Sequence, residues 1–239
     1  MAIGLRFITK IFEKGNTMTC GPIGSGKDIM IANVVVRRNL EYVSNVDYGG
    51  AFIEFDPTVL DCGKNTYKNF LNKDIKKYVY PYNDGADIYI SDAGVYFPSQ
   101  YCNELNKLYP YFPVFFALVR QLAGARIHTN VQAIPRVWDK IREQNQDFYI
   151  RCLGCKVIYG YVFQKVRVYD RYQSCVDSVK PFRVNLPLFG SGATRYQVRL
   201  ARDQYETTHG MVKDKILIYK NKSSYDTRIF KRMLEEGKE

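Results

Sequence analysis

Histidine is nearly absent from this 239-residue chain: His128 and His209 are the only two. Cysteine is scattered, and of six only Cys152 and Cys155, in CLGC, have the spacing of a metal-binding pair. A tetrahedral zinc site takes four ligands, and no second CxxC or HxxxH supplies the other two. The cysteines therefore read as reduced, buried thiols of a cytosolic protein. Long apolar runs are missing as well. The longest, YPYFPVFFALV from Tyr109, is broken by Pro110 and Pro113 and falls far short of the ~20 residues that cross a bilayer. It is expected to be core, and no signal peptide is expected at the start. Acidic residues are in deficit, 24 against 35 Lys and Arg, leaving a net charge of +11. That field favours an anionic partner such as nucleic acid, nucleotide or an anionic membrane face.

What is present is an ordinary globular composition, 46% hydrophobic and 25% charged. A chain of this length buries enough apolar surface to fold without disulfides. Strands are expected at LRFITKIF, NTMTC, GAFIEF, DIYI and ARIHTNVQ, the last ending at Gln132. Helices are expected over DIMIANVVVRRNLEY, with Ile29, Ala32, Val36 and Leu40 on its apolar face, over 115–122, and over PRVWDKIREQN, with Pro135 at its start. KNTYKNFLNKDIKKYVY reads as a polar helix or loop. Alternation of strand and helix through residue 151 argues for a parallel α/β sheet. From residue 152 to 239 the pattern turns β-rich: a hairpin in KVIYGYVFQKVRVYDRY, strands in ATRYQVRLA and KDKILIYK, then a short charged helix in RIFKRMLEEGKE. The expected organisation is a core over 1–151 and a C-terminal extension over 152–239, packed as one domain.

One stretch carries chemistry. In MTCGPIGSGKDIMIANVVVRR, Gly21, Gly26 and Lys27 have the G-x4-GK spacing of a phosphate-binding loop, between a strand and a helix. Glycines let Gly21, Pro22, Ile23, Gly24, Ser25, Gly26, Lys27 and Asp28 wrap so that backbone N–H groups face phosphate oxygens. The following helix aims its positive end there, and Lys27 reaches the β and γ phosphates. The hydroxyl that usually follows that lysine to bind magnesium is absent; Asp28 stands there. A carboxylate also binds Mg2+ but adds a negative charge beside a triphosphate, so Asp28 either makes binding metal-dependent or weakens the site.

A second carboxylate is needed at the end of a neighbouring strand, and Asp92 in IYISDAG fits. Ala93 follows it, where many such ATPases have a water-polarising Glu. Gln132, at a strand's carboxyl end, is placed to sense the γ phosphate. Arg120, Arg136 and Arg142 are nearby candidates for an arginine finger, with Arg120 and Arg142 preferred.

GPIGSGKD, ISDAGVYFPSQ, VRQLAGARIHTNVQAIPRVWDKIREQ and SSYDTRIF occur in an order and spacing that resembles the zonular occludens toxin-like (Zot) family. These are ATPases of filamentous single-stranded DNA phages, related to the FtsK–HerA motors. Lys27, Asp92, Phe97-Pro98, Arg120, Gln132, Asp139-Lys140-Ile141-Arg142 and Tyr225-Asp226-Thr227 fall on the family's positions. Asp28, Ala93 and Val131 depart from its hydroxyl, Glu and Thr. The resemblance implies a P-loop NTPase with a mainly parallel sheet and a β-rich C-terminal part. It implies ATP and Mg2+ as cofactors, held by the loop and by Asp28 and Asp92. It implies single-stranded DNA extrusion or packaging by a homo-oligomeric ring, a hexamer in the superfamily's manner. Partners would be phage coat or assembly proteins in the host cytoplasm at the inner membrane's cytoplasmic face. Membrane contact would come only through a partner or an additional segment. A non-hydrolysing scaffold of the same fold and a plain basic DNA-binding module are the competing readings.

Overall fold

The computed structural model describes residues 3–54, 87–108, 125–143, 146–183 and 194–223. The expected elements at 64–80, 109–122 and 228–239, together with Cys62, Arg120 and Tyr225-Asp226-Thr227, lie outside these residues.

Among the described residues eight strands form one sheet: β1 (Thr17–Cys20), β2 (Tyr42–Ser44), β3 (Phe52–Glu54), β4 (Asp87–Ile90), β5 (Ile127–Val131), β6 (Phe148–Ile158), β7 (Tyr161–Tyr169) and β8 (Val212–Lys220). Their order is β3-β2-β4-β5-β1-β6-β7-β8. The first six are parallel throughout, and only β6-β7 and β7-β8 pair antiparallel. β1 lies between β5 and β6, and all four of its residues are buried, as expected of a strand covered on both faces. β6 runs through residue 151 without a break, so the antiparallel strands continue the parallel sheet.

Alternating side chains feed two cores. Met18, Ile88, Ile90, Trp138 and Tyr149 point to one face; Tyr89, Ile150, Val166 and Leu217 point to the other, against helices α1 (Leu5–Lys14) and α2 (Lys27–Arg38). β4, β5 and the β6–β7 hairpin match the sequence pattern, as does the strand–loop–helix around Lys27. With the mainly parallel sheet, this is an α/β fold with a β-rich C-terminal part.

Four expectations are corrected. LRFITKIF is helix α1, not a strand: Leu5, Ile8, Ile11 and Phe12 fall every three or four residues on one buried stripe. ATRYQVRLA belongs to a helix, Arg195–His209, opened by a reciprocal cap in which Thr194 Oγ1 accepts from the Gln197 N–H and Gln197 Oε1 accepts from the Thr194 N–H. The apolar face of α2 is broader than Ile29, Ala32, Val36 and Leu40. Met30 through Val35 are all buried because the helix sits between the sheet and α1, whereas Leu40 lies past its end and is exposed. PRVWDKIREQN is not one helix: a 3-10 turn at Ile134–Arg136 gives way to extended Val137 before a short helix, Asp139–Arg142.

Candidate functional site

The loop leaves β1 at Cys20 and enters α2 at Lys27. Ser25 N–H donates to the Pro22 carbonyl at 3.1 Å, closing a tight turn. Gly26 has φ of 82°, and a Cβ there would lie 2.7 Å from the Cys155 side chain, so both conformation and space demand glycine. The loop is pinned from β7. Gln164, 1% exposed, donates through Nε2 to the carbonyls of Ser25 and Gly26, each at 3.0 Å. Its Oε1 accepts from Tyr219 Oη at 3.1 Å. With those carbonyls turned toward Gln164, they are engaged from the β7 side.

Lys27 is buried at the first turn of α2. Asp28 follows, and burial raises its pKa; Asp92 pushes the same way, while Lys27 and a hydrogen bond from Asn130 oppose. Asn130, on β5 and 1% exposed, joins the two acidic residues. Its Nδ2 donates to Asp28 Oδ1 at 2.6 Å, and its Oδ1 accepts the Asp92 N–H at 2.8 Å. Asn45, just past β2, holds the neighbouring Ser91 backbone on both sides, accepting from its N–H at 2.7 Å and donating to its carbonyl at 3.1 Å. Asp92 itself is held at φ 49°, ψ 49°, a left-handed conformation that aspartate tolerates better than most residues. The carboxyl ends of β1, β4 and β5 thus converge on one point, where open α/β sheets bind ligands.

The other candidates distribute unevenly. Gln132 is exposed, one residue past β5, and lines a cleft of about 350 Å³ with Gly21, Pro22, Arg151 and Leu153. Arg142 is tied into its own chain: Nη1 donates to the carbonyls of Pro135 and Val137, each at 3.1 Å, Nε donates to Glu143, and the guanidinium lies over the Tyr172 ring. Arg136 is exposed. Ala93 is fully buried among apolar side chains of the first core, so a longer residue there would enter the core rather than the cleft.

Cys152 and Cys155 flank the loop, and burial pushes the Cys152 thiol up to about 12. His128 is fully buried at the other end of β5, held neutral by burial and by Arg38 and Arg126. It contacts Thr17 Oγ1 at 2.9 Å and Asp87 at 3.2 Å. Among the described residues no three His, Cys, Asp or Glu gather as a metal-binding group, and no helix is long and apolar enough to cross a membrane.

Sequence reasoning missed Asn130 and Gln164. Asn130 sits mid-strand in HTNV, where a polar residue invited attention; nothing local marks Gln164, which acts through pairing across the fold.

No family model matches the chain, and no curated protein does. Among solved structures it is similar to the genome packaging NTPase B204 of Sulfolobus turreted icosahedral virus 2. In complex with AMPPCP, that protein aligns at 14% identity and TM-score 0.40 over 58% of this chain and 74% of its own. In complex with ATP-γS it aligns at 12% identity and TM-score 0.39 over 87% and 93%. With AMP the values are 11% and 0.40, over the same shares.

Proposed function

We propose that this chain binds a nucleoside triphosphate at the Gly21–Asp28 loop and uses it to drive single-stranded DNA during assembly of a filamentous phage. The observation that carries the reading is the junction of Lys27, Asp28, Asn130 and Asp92 at the carboxyl ends of three adjacent strands. Loop amides and Lys27 would hold the phosphates.

A divalent cation fits the donors present. Asp28 is half-buried and feels Asp92 as a like charge, and Mg2+ takes one or two carboxylates together with phosphate oxygens and water. Bound there, it would supply charge neutralisation for the phosphates. Asn130 holds the two acidic residues in register for it, and Gln164 holds the loop. Gln132 faces the adjoining cleft, placed to orient a water or sense the terminal phosphate. An arginine acting across a subunit boundary would come from Arg120 or Arg136; Arg142, already bonded within its own subunit, would have to release those bonds first.

The motor reading extends to a homo-oligomeric ring, a hexamer in the manner of the superfamily, working with coat or assembly proteins at the cytoplasmic face of the host inner membrane. A second reading, a nucleotide-binding scaffold that does not hydrolyse, is favoured by one observation: the residue after Asp92 is a fully buried alanine. Phosphate release measured with and without single-stranded DNA, against a Lys27→Ala control, separates them. Release above the control supports the motor; ATP-dependent stabilisation without release supports the scaffold.

A further inference from the structure

The tip of the β6–β7 hairpin carries a feature that the nucleotide site does not use. Tyr159 and Gly160 join the strands with φ of 49° and 74°. Two successive left-handed residues form the tight hairpin turn, which Asn, Asp and Gly adopt readily. Tyrosine at the first position is strained, and Tyr159 is 98% exposed, so packing does not offset the strain. Such strain collects at functional positions.

Cross-strand register extends the observation. On one face, Tyr161 stands opposite Ile158 and Lys220, Phe163 opposite Lys156 and Ile218, and Lys165 opposite Ile216. Tyr161, Phe163, Ile158 and Ile216 are 41%, 40%, 47% and 63% exposed, and Lys156, Lys165 and Lys220 are exposed among them. The opposite face, with Val162, Gln164, Val166 and Leu217, is buried. β6 and β7 contain no acidic residue, and the one on β8, Asp214, is held by both arms of Arg167.

A contiguous exposed apolar patch marks an interaction surface. The cores of protein–protein contacts are depleted in lysine, whereas this patch is interleaved with it. Rings on a sheet among lysines suit a chain of nucleotides, whose bases stack on the rings while the phosphates meet the ammonium groups.

We propose that this hairpin face is a docking platform for single-stranded DNA, with Tyr159, Tyr161 and Phe163 stacking on bases and Lys156, Lys165 and Lys220 meeting phosphates. It rests on single-stranded DNA being the cargo, and adds where on the chain that cargo sits.

The test is fluorescence anisotropy of the full chain with a labelled oligo-dT of about 20 nucleotides, long enough for one binding face. Tyr159→Asn suits the turn, so Tm should hold or rise while Kd rises about fivefold or more; adding Phe163→Thr should bring the loss to about 25-fold or more. Lys165→Ala should flatten the salt dependence of binding by roughly 0.7 in log–log slope. Wild-type affinity in the Tyr159→Asn/Phe163→Thr protein overturns the proposal. So does a change of oligomeric state at unchanged DNA affinity, which makes the face a subunit contact. If the wild-type chain binds no oligo-dT yet is stabilised by ATP, the platform and the DNA cargo both fall and the nucleotide site stands.

Discussion

Asn130 donates to the Asp28 carboxylate at 2.6 Å while accepting the backbone N–H of Asp92 at 2.8 Å. One buried amide therefore sets the spacing between the loop's acidic residue and the one just past β4. A carboxylate following the loop lysine is tolerable only because something holds it, and Asn130 does so from β5, the strand inserted between β4 and β1.

Asn130→Ala should leave the half-buried Asp28 carboxylate without its donor. A hydrogen bond to a charged group is worth about 1.5–3 kcal/mol, so urea unfolding should report a loss of that order. Nucleotide affinity should fall as well, because the Asp28 carboxylate and the Asp92 backbone lose their common support.

Asp28→Asn should act in opposite directions on stability and binding. Burial and Asp92 both disfavour the charge, so its removal should stabilise the nucleotide-free protein by about 1 kcal/mol, roughly 2–4 °C in Tm for a chain of this size. The Mg2+ dependence of ATP binding should weaken in the same variant. A variant that is both less stable and unchanged in metal dependence would contradict the role given to Asp28.

Ala93→Glu should not restore a water activator. Ala93 is fully buried in the core, and a carboxylate forced into that space should cost about 3 kcal/mol or more. Thermal unfolding and phosphate release measured side by side check this; higher turnover at unchanged Tm would contradict it.

Stability should decline as the medium is acidified below pH 6.5. His128 is buried and its pKa lies well below 6.5. The unfolded chain therefore takes up a proton that the folded chain refuses, and stability is lost as pH falls from 6.5 toward the folded value. His128→Gln, measured by urea unfolding at pH 7 and pH 5.5, should show a smaller difference between the two than the wild type.

Much of this architecture was legible, for local reasons. The run Met18–Arg38 shows strand, glycine turn and apolar helix within one window, and Val162, Val166 and Val168 alternate as a strand should. Asp92 was legible as a strand-end carboxylate. The misread segments are short ones whose composition serves both periods: LRFITKIF can be counted by twos or by threes, and only packing against β8 and α2 decides. For ATRYQVRLA the capping pair Thr194 and Gln197 was the available signal, and the β-propensity of its aromatic and branched residues outweighed it. Asn130 and Gln164 act through partners 102 and 138 or more positions away in the chain, a relation that exists only once the strand order is known.

The most direct test is the thermal stability of the wild-type and Lys27→Ala chains with a slowly hydrolysed ATP analogue, with and without Mg2+. The account predicts stabilisation of the wild type by about 2.7 kcal/mol at a hundredfold excess over Kd, dependent on Mg2+ and lost in Lys27→Ala. Equal stabilisation of both chains, or none of the wild type at any metal concentration, would contradict it.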